Sequence, residues 1–96
     1  MPGIIQITIY KEISDPAKLA AYAELAGPAI TGAGGVFLAR GNPVATKEEG
    51  ETGRVVIIQW PDMETATTAF ASDDYVEALE RLKGGAVRDI RYLEAV

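Results

Sequence analysis

The run Arg54-Val55-Val56-Ile57-Ile58-Gln59-Trp60 limits what this chain can fold into more than any other segment. It is rich in β-branched residues, which favour strands. Side chains alternate sides along a strand, so Val55 and Ile57 point to one face and Val56 and Ile58 to the other. A strand apolar on both faces belongs in the interior of a sheet, with cover above and below. The segment Val36–Arg40 has the same character, with Phe37 set against Val36 and Leu38.

The rest of the chain alternates between helical and extended patterns. Ile4–Tyr10 is a strand in which Ile5, Ile7 and Ile9 alternate with Gln6, Thr8 and Tyr10. Asp15 and Pro16 open a helix, as N-cap and first helical residue. Leu19, Tyr22, Ala23, Ala26 and Ile30 follow as one apolar face, and Gly34-Gly35 closes the segment. Pro28, which lacks an N–H and crowds the preceding turn, predicts a kink or break. Gly41–Gly53 is a polar hairpin loop carrying Glu48, Glu49 and Glu51. Asp62 caps a second helical region, and Ser72 caps its continuation, whose first turn holds Asp73 and Asp74. Gly84-Gly85 ends it, and Val87–Glu94 is the last strand.

The order is βαββαβ within one domain spanning residues 1–96. Right-handed crossovers place both helical segments on one face of a four-stranded antiparallel sheet, giving an α+β fold. The other face then remains uncovered. Its apolar residues form a larger patch than monomers tolerate, so a homodimer is expected, packed sheet to sheet about a two-fold axis.

Composition removes several functions. With no cysteine there are no disulfides and no thiolate chemistry. With no histidine there is no Ser–His–Asp triad and no imidazole metal ligand, so no metal site and no cofactor are expected. The net charge of −5 and pI of about 4.6 oppose binding to nucleic acid or anionic membranes. No apolar run reaches the ~20 residues of a transmembrane helix. Met1–Tyr10 shows no basic segment followed by an apolar core, so no signal peptide and a cytoplasmic location are expected.

What remains is carboxylates, tyrosines, lysines and arginines. Arg40 and Arg54 flank the hairpin and are expected to face each other on the side shared by Leu38, Val56, Ile58 and Trp60. Two adjacent cations require a counter-charge. Either a bound anion supplies it, or local acids such as Glu48, Glu49 and Glu51 do. Tyr10 and Trp60 are candidates to line a cavity between two sheets, and Trp60 reads equally well as packing. Tyr22 and Tyr75, on helices, read from spacing as packing. Glu77 and Arg81 are spaced for an exposed ion pair, and Gly84-Gly85 lacks the lysine of a phosphate loop.

The elements Asp15-Pro16, Tyr22, Pro28, Gly34-Gly35, Phe37–Gly41, Arg54–Ile58, Pro61–Ala66 and Ser72–Tyr75, in this order, resemble the domain of unknown function 1330 family. The resemblance implies a ferredoxin-like subunit of the dimeric α/β-barrel superfamily. Some members of that superfamily are cofactor-less monooxygenases and others isomerases. By the same analogy Arg40, Arg54, Tyr22 and Tyr75 are functional positions. With Trp60 they make the candidate ligand-binding set. Two functions follow as expectations. One is a small-molecule binder or cofactor-less enzyme taking an anionic or aromatic ligand. The other is a non-enzymatic dimer with an interaction, stress or regulatory role.

Overall fold

The computed structural model describes residues 3–96; residues 1 and 2 of the expected domain lie outside it. In chain order the elements are β1 (Ile4–Ile13), α1 (Pro16–Gly32), β2 (Val36–Gly41), β3 (Val55–Trp60), α2 (Met63–Phe70), α3 (Asp73–Leu82) and β4 (Ala86–Glu94). The strands form one antiparallel sheet in the order β2-β3-β1-β4. The doubly apolar β3 is central, and the fold is ferredoxin-like α+β.

Local chemistry accounts for the element ends. The Asp15 carboxylate accepts from the N–H groups of Ala17 and Lys18 at 3.1 and 3.2 Å. Asp62 accepts from the Thr65 N–H at 2.7 Å. Ser72 accepts from the Tyr75 N–H at 3.3 Å and donates to the Ala69 carbonyl at 2.7 Å, dividing the second helical region into α2 and α3. Pro28 does not break α1, which runs unbroken to Gly32. Its missing N–H forfeits a single ladder bond, while the buried Tyr22, Ala26 and Ile30 anchor the helix on both sides.

Gly34 turns the chain out of the helix at φ +109°, a left-handed region that favours glycine. Gly35 is glycine for a different reason. A Cβ there would lie 2.6 Å from Ile30 Cγ2 and 2.9 Å from the Trp60 ring, so the indole packs directly on bare backbone.

The two faces of the sheet reverse the usual assignment. Gln6, Thr8 and Tyr10 are buried beneath the helices with Val56, Ile58 and Trp60. Ile5, Ile7 and Ile9 point to the uncovered face with Val55 and Ile57. Tyr10 and Trp60 therefore do not border a space between two sheets; they face the helices. A bulge in β2 corrects a second expectation. Phe37 pairs with Ile58 and Ala39 with Ile57, so Leu38 drops out of register and half of it is exposed. Phe37, not Leu38, thus shares a side with Arg40. Among the described residues no helix is long and apolar enough to cross a membrane.

Candidate functional site

The helix-facing side of the sheet is best read as rows running across the strands. Tyr10 of β1 donates its N–H to the Arg54 carbonyl at 2.9 Å and pairs with Arg88 of β4 on its other side. The next row is Arg40, Val56, Thr8 and Ile90, and the row after it Phe37, Ile58, Gln6 and Tyr92. Three arginines therefore converge on one end of the sheet. Arg40 and Arg54 share a side as expected, although they are not directly opposite: Arg40 faces Val56.

Helix α1 roofs this end. Between it and the sheet lies a cavity of about 40 Å³, with the polar residues Gln6, Thr8, Tyr10, Tyr22, Arg40, Arg54 and Arg88 in its lining. The remaining walls are aliphatic or aromatic and include Leu19, Ile30, Phe37 and Phe70. Among the described residues no carboxylate lines it.

The arginines lean on aromatic faces rather than acids. The Arg40 Cζ sits 4.7 Å from the Phe37 ring centroid and the Arg54 Cζ 5.9 Å from that of Tyr10. Arg88 lies 5.8 Å from Tyr10 and 5.1 Å from Tyr22. Such contacts hold a planar cation in place without neutralising it. Among the described residues the ion pairs are Arg81 with Glu77, 3.5 Å, and Arg91 with Asp89, 2.8 Å. Glu48, Glu49 and Glu51 do not pair with Arg40 or Arg54, so the hairpin acids do not supply the expected counter-charge. The Arg54 Nε is closed off from solvent and has no hydrogen-bond partner among the described residues. A buried donor left in that condition costs about 1–3 kcal/mol.

Arg88 also donates to the Tyr22 hydroxyl at 3.1 Å, and the Tyr22 and Tyr75 hydroxyls are hydrogen-bonded at 2.7 Å. Burial, reinforced by Tyr75, pushes the Tyr22 phenol well above the ordinary tyrosine range, while Arg88 pulls the other way. At neutral pH Tyr22 is thus an uncharged phenol, unable to act as a base. The candidate residues divide accordingly. Arg40, Arg54 and Tyr22 line the cavity. Tyr75 is outside the lining and meets it through its hydrogen bond to Tyr22 and its edge-on contact with Phe70. Trp60 lies deeper, fully buried, with its Nε1–H donating to Gln6 Oε1 at 2.9 Å.

Arg88, Gln6 and Thr8 were not legible as site residues in the sequence. Arg88 belongs to a strand whose partner is distant in the chain, and only the β1–β4 register sets it beside Tyr10. The one available signal was Gln6 and Thr8 alternating with isoleucines, which reads equally as a solvent face.

Fold and site together define a ferredoxin-like α+β protein with a cationic, aromatic-walled cavity between sheet and helices. Residues 6–96 match the model of the family described as Domain of unknown function (DUF1330), and the chain belongs to that family. No curated protein sequence matches it. Among solved structures, a protein of unknown function from Rhodopseudomonas palustris has a TM-score of 0.80 at 15% identity, covering 99% of this chain and 83% of that one. A dimeric ferredoxin-like protein of unknown function from Thermobifida fusca gives 0.68 at 15% identity, covering 99% and 92%. A cofactor-independent oxygenase from Streptomyces nogalater gives 0.64 at 13% identity, also covering 99% and 92%. At such identities the likeness is one of fold.

Proposed function

We propose that this chain is a single-domain, homodimeric binding protein for a small organic anion held between sheet and helices. One observation carries the reading: Arg40, Arg54 and Arg88 face one cavity and none has a carboxylate partner among the described residues. Guanidinium groups lining one cavity repel one another, and a bound carboxylate relieves that repulsion while accepting planar, paired hydrogen bonds. The partnerless Arg54 Nε adds a donor in need of an acceptor. Apolar walls of Leu19, Ile30 and Phe70 suit a hydrocarbon body behind the charge.

Binding is favoured over turnover because the lining residues include no carboxylate or imidazole to serve as a base near neutral pH. The oxygenase from Streptomyces nogalater shares the fold; the lining residues of this cavity support retention of an anion better than proton abstraction. Pairing with a second copy is supported by the uncovered isoleucine-rich sheet face and by the dimeric protein from Thermobifida fusca.

Calorimetric titration of pentanoate and benzoate against pentanol and benzyl alcohol tests the reading. The acids are expected to bind and the alcohols not to. Arg54→Gln is expected to weaken the acids by roughly tenfold or more, the scale of a lost charged hydrogen bond. Arg81→Gln, on the outer surface of α3, is expected to leave binding unchanged. Equal binding of acids and alcohols, or full affinity in Arg54→Gln, overturns it.

A further inference from the structure

Beyond the arginines, the cavity contains a directed hydrogen-bond chain. The Trp60 indole N–H is a donor only. It donates to Gln6 Oε1 at 2.9 Å, which fixes the orientation of the Gln6 amide, since the flipped amide would set N–H against N–H. The Gln6 Nε2 must then be the end that meets Thr8, and it donates to Thr8 Oγ1 at 3.0 Å. Thr8 is therefore compelled to accept on that side. Its own hydroxyl hydrogen finds no acceptor among the described residues, although Thr8 is only 3% exposed and lines the cavity. A hydroxyl that accepts from a buried donor is polarised into a better donor itself.

We infer that the ligand of this cavity is a short carboxylic acid carrying a second oxygen acceptor, an oxo or hydroxy acid, with its carboxylate at Arg54 and Arg88 and its distal oxygen on Thr8. The inference rests on the organic-anion reading above and adds the second recognition point. The spacing agrees with it. Thr8 lies one row from Tyr10, which is flanked by Arg54 and Arg88, and rows two residues apart along a strand are separated by about 7 Å. The cavity volume of about 40 Å³ is small. A water needs roughly 10–15 Å³, so only a few heavy atoms of a ligand lie within it. Arg54 and Arg88 are half-buried and Thr8 is buried, which leaves the charged end nearer solvent and the acceptor end inside.

The test compares 4-oxopentanoate with pentanoate, which lacks the oxo group, and with 2-pentanone, which lacks the carboxylate. Calorimetry is run on wild type, Thr8→Val, Thr8→Ala and Thr8→Ser, each checked for fold by circular dichroism. Wild type is expected to prefer 4-oxopentanoate over pentanoate by about fivefold, the scale of one net hydrogen bond. Thr8→Val and Thr8→Ala are expected to bind the two acids alike, and Thr8→Ser to restore the preference. A merely structural role for Thr8 would weaken both acids equally and leave their ratio unchanged. If wild type binds both acids equally and ignores 2-pentanone, the Thr8 inference falls and the anion reading stands. If neither acid binds, both fall.

Discussion

Gly35 shows how one residue can depend on a partner far along the chain. In the sequence it is half of a glycine pair closing a helix. In the fold its missing side chain is the space occupied by the Trp60 ring and Ile30. Gly35→Ala is therefore expected to destabilise by about 1–3 kcal/mol, the range for overpacking a filled core, with a lower urea midpoint at unchanged slope. Gly32→Ala is the natural comparison, because a Cβ there meets nothing within 4 Å. It is expected to be neutral or stabilising. The same distinction holds for the candidate site. Arg40 and Arg54 were legible because like charges beside a hairpin demand an explanation at the level of residue type. Arg88 was not, since its significance depends wholly on the strand beside it. Trp60 is informative for another reason: its N–H sets the polarity of Gln6 and, through it, of Thr8.

Among the elements, an aromatic chain fastens helices to sheet. Trp60 of β3 meets Phe70 of α2 edge-on at 5.5 Å, Phe70 meets Tyr75 of α3 at 4.5 Å, and Tyr75 meets Tyr22 of α1 at 6.0 Å. Arg88 of β4 completes the link by donating to Tyr22. The phenol at the centre gives this clamp a pH limit. Unfolded, a tyrosine ionises near 10.0, whereas folded Tyr22 keeps its proton to higher pH, first because it is buried and then because Tyr75 is adjacent. The raised folded value means that the contribution is complete below the unfolded value and is lost as pH rises beyond it. Thermal melts followed by circular dichroism are expected to show stability falling above about pH 10, and falling less steeply in Tyr22→Phe. An identical alkaline slope in both proteins would remove Tyr22 from this role. Element ends were legible from Asp15, Asp62 and Ser72, since capping is local chemistry. Continuity through Pro28 was not, because burial of Tyr22, Ala26 and Ile30 outweighs the local penalty.

On the scale of the whole molecule, the period of two along β1 and β3 separates the two proposed functions. Even-numbered residues from Gln6 to Tyr10 and from Arg54 to Trp60 face the helices and the cavity. Odd-numbered residues, Ile5, Ile7, Ile9, Val55 and Ile57, face the open side. The proposed assembly and ligand binding are therefore expected to be separable by substitution. Ile7→Glu with Ile57→Glu, directly paired across β1 and β3, places like charges in the proposed subunit contact. Sedimentation is expected to show wild type as a dimer and the double variant as a 10.2 kDa monomer. A monomeric wild type would overturn the pairing.

Taken alone, the sequence determined the order of elements, the central place of β3 and the presence of two cations near the hairpin. Each of these rests on patterns within a few residues: alternation, capping and the company of like charges. Which face of β1 is buried was decided only in three dimensions. Ile5, Ile7 and Ile9 are the more apolar set, yet Gln6, Thr8 and Tyr10 lie beneath the helices. The reason is that polar groups can be buried when partners meet them. Gln6 has Trp60 on one side and Thr8 on the other, while the isoleucines remain on the face proposed to meet a second copy. The cavity and its third arginine have the same origin, since the register of β4 against β1 is a long-range property that no local pattern specifies.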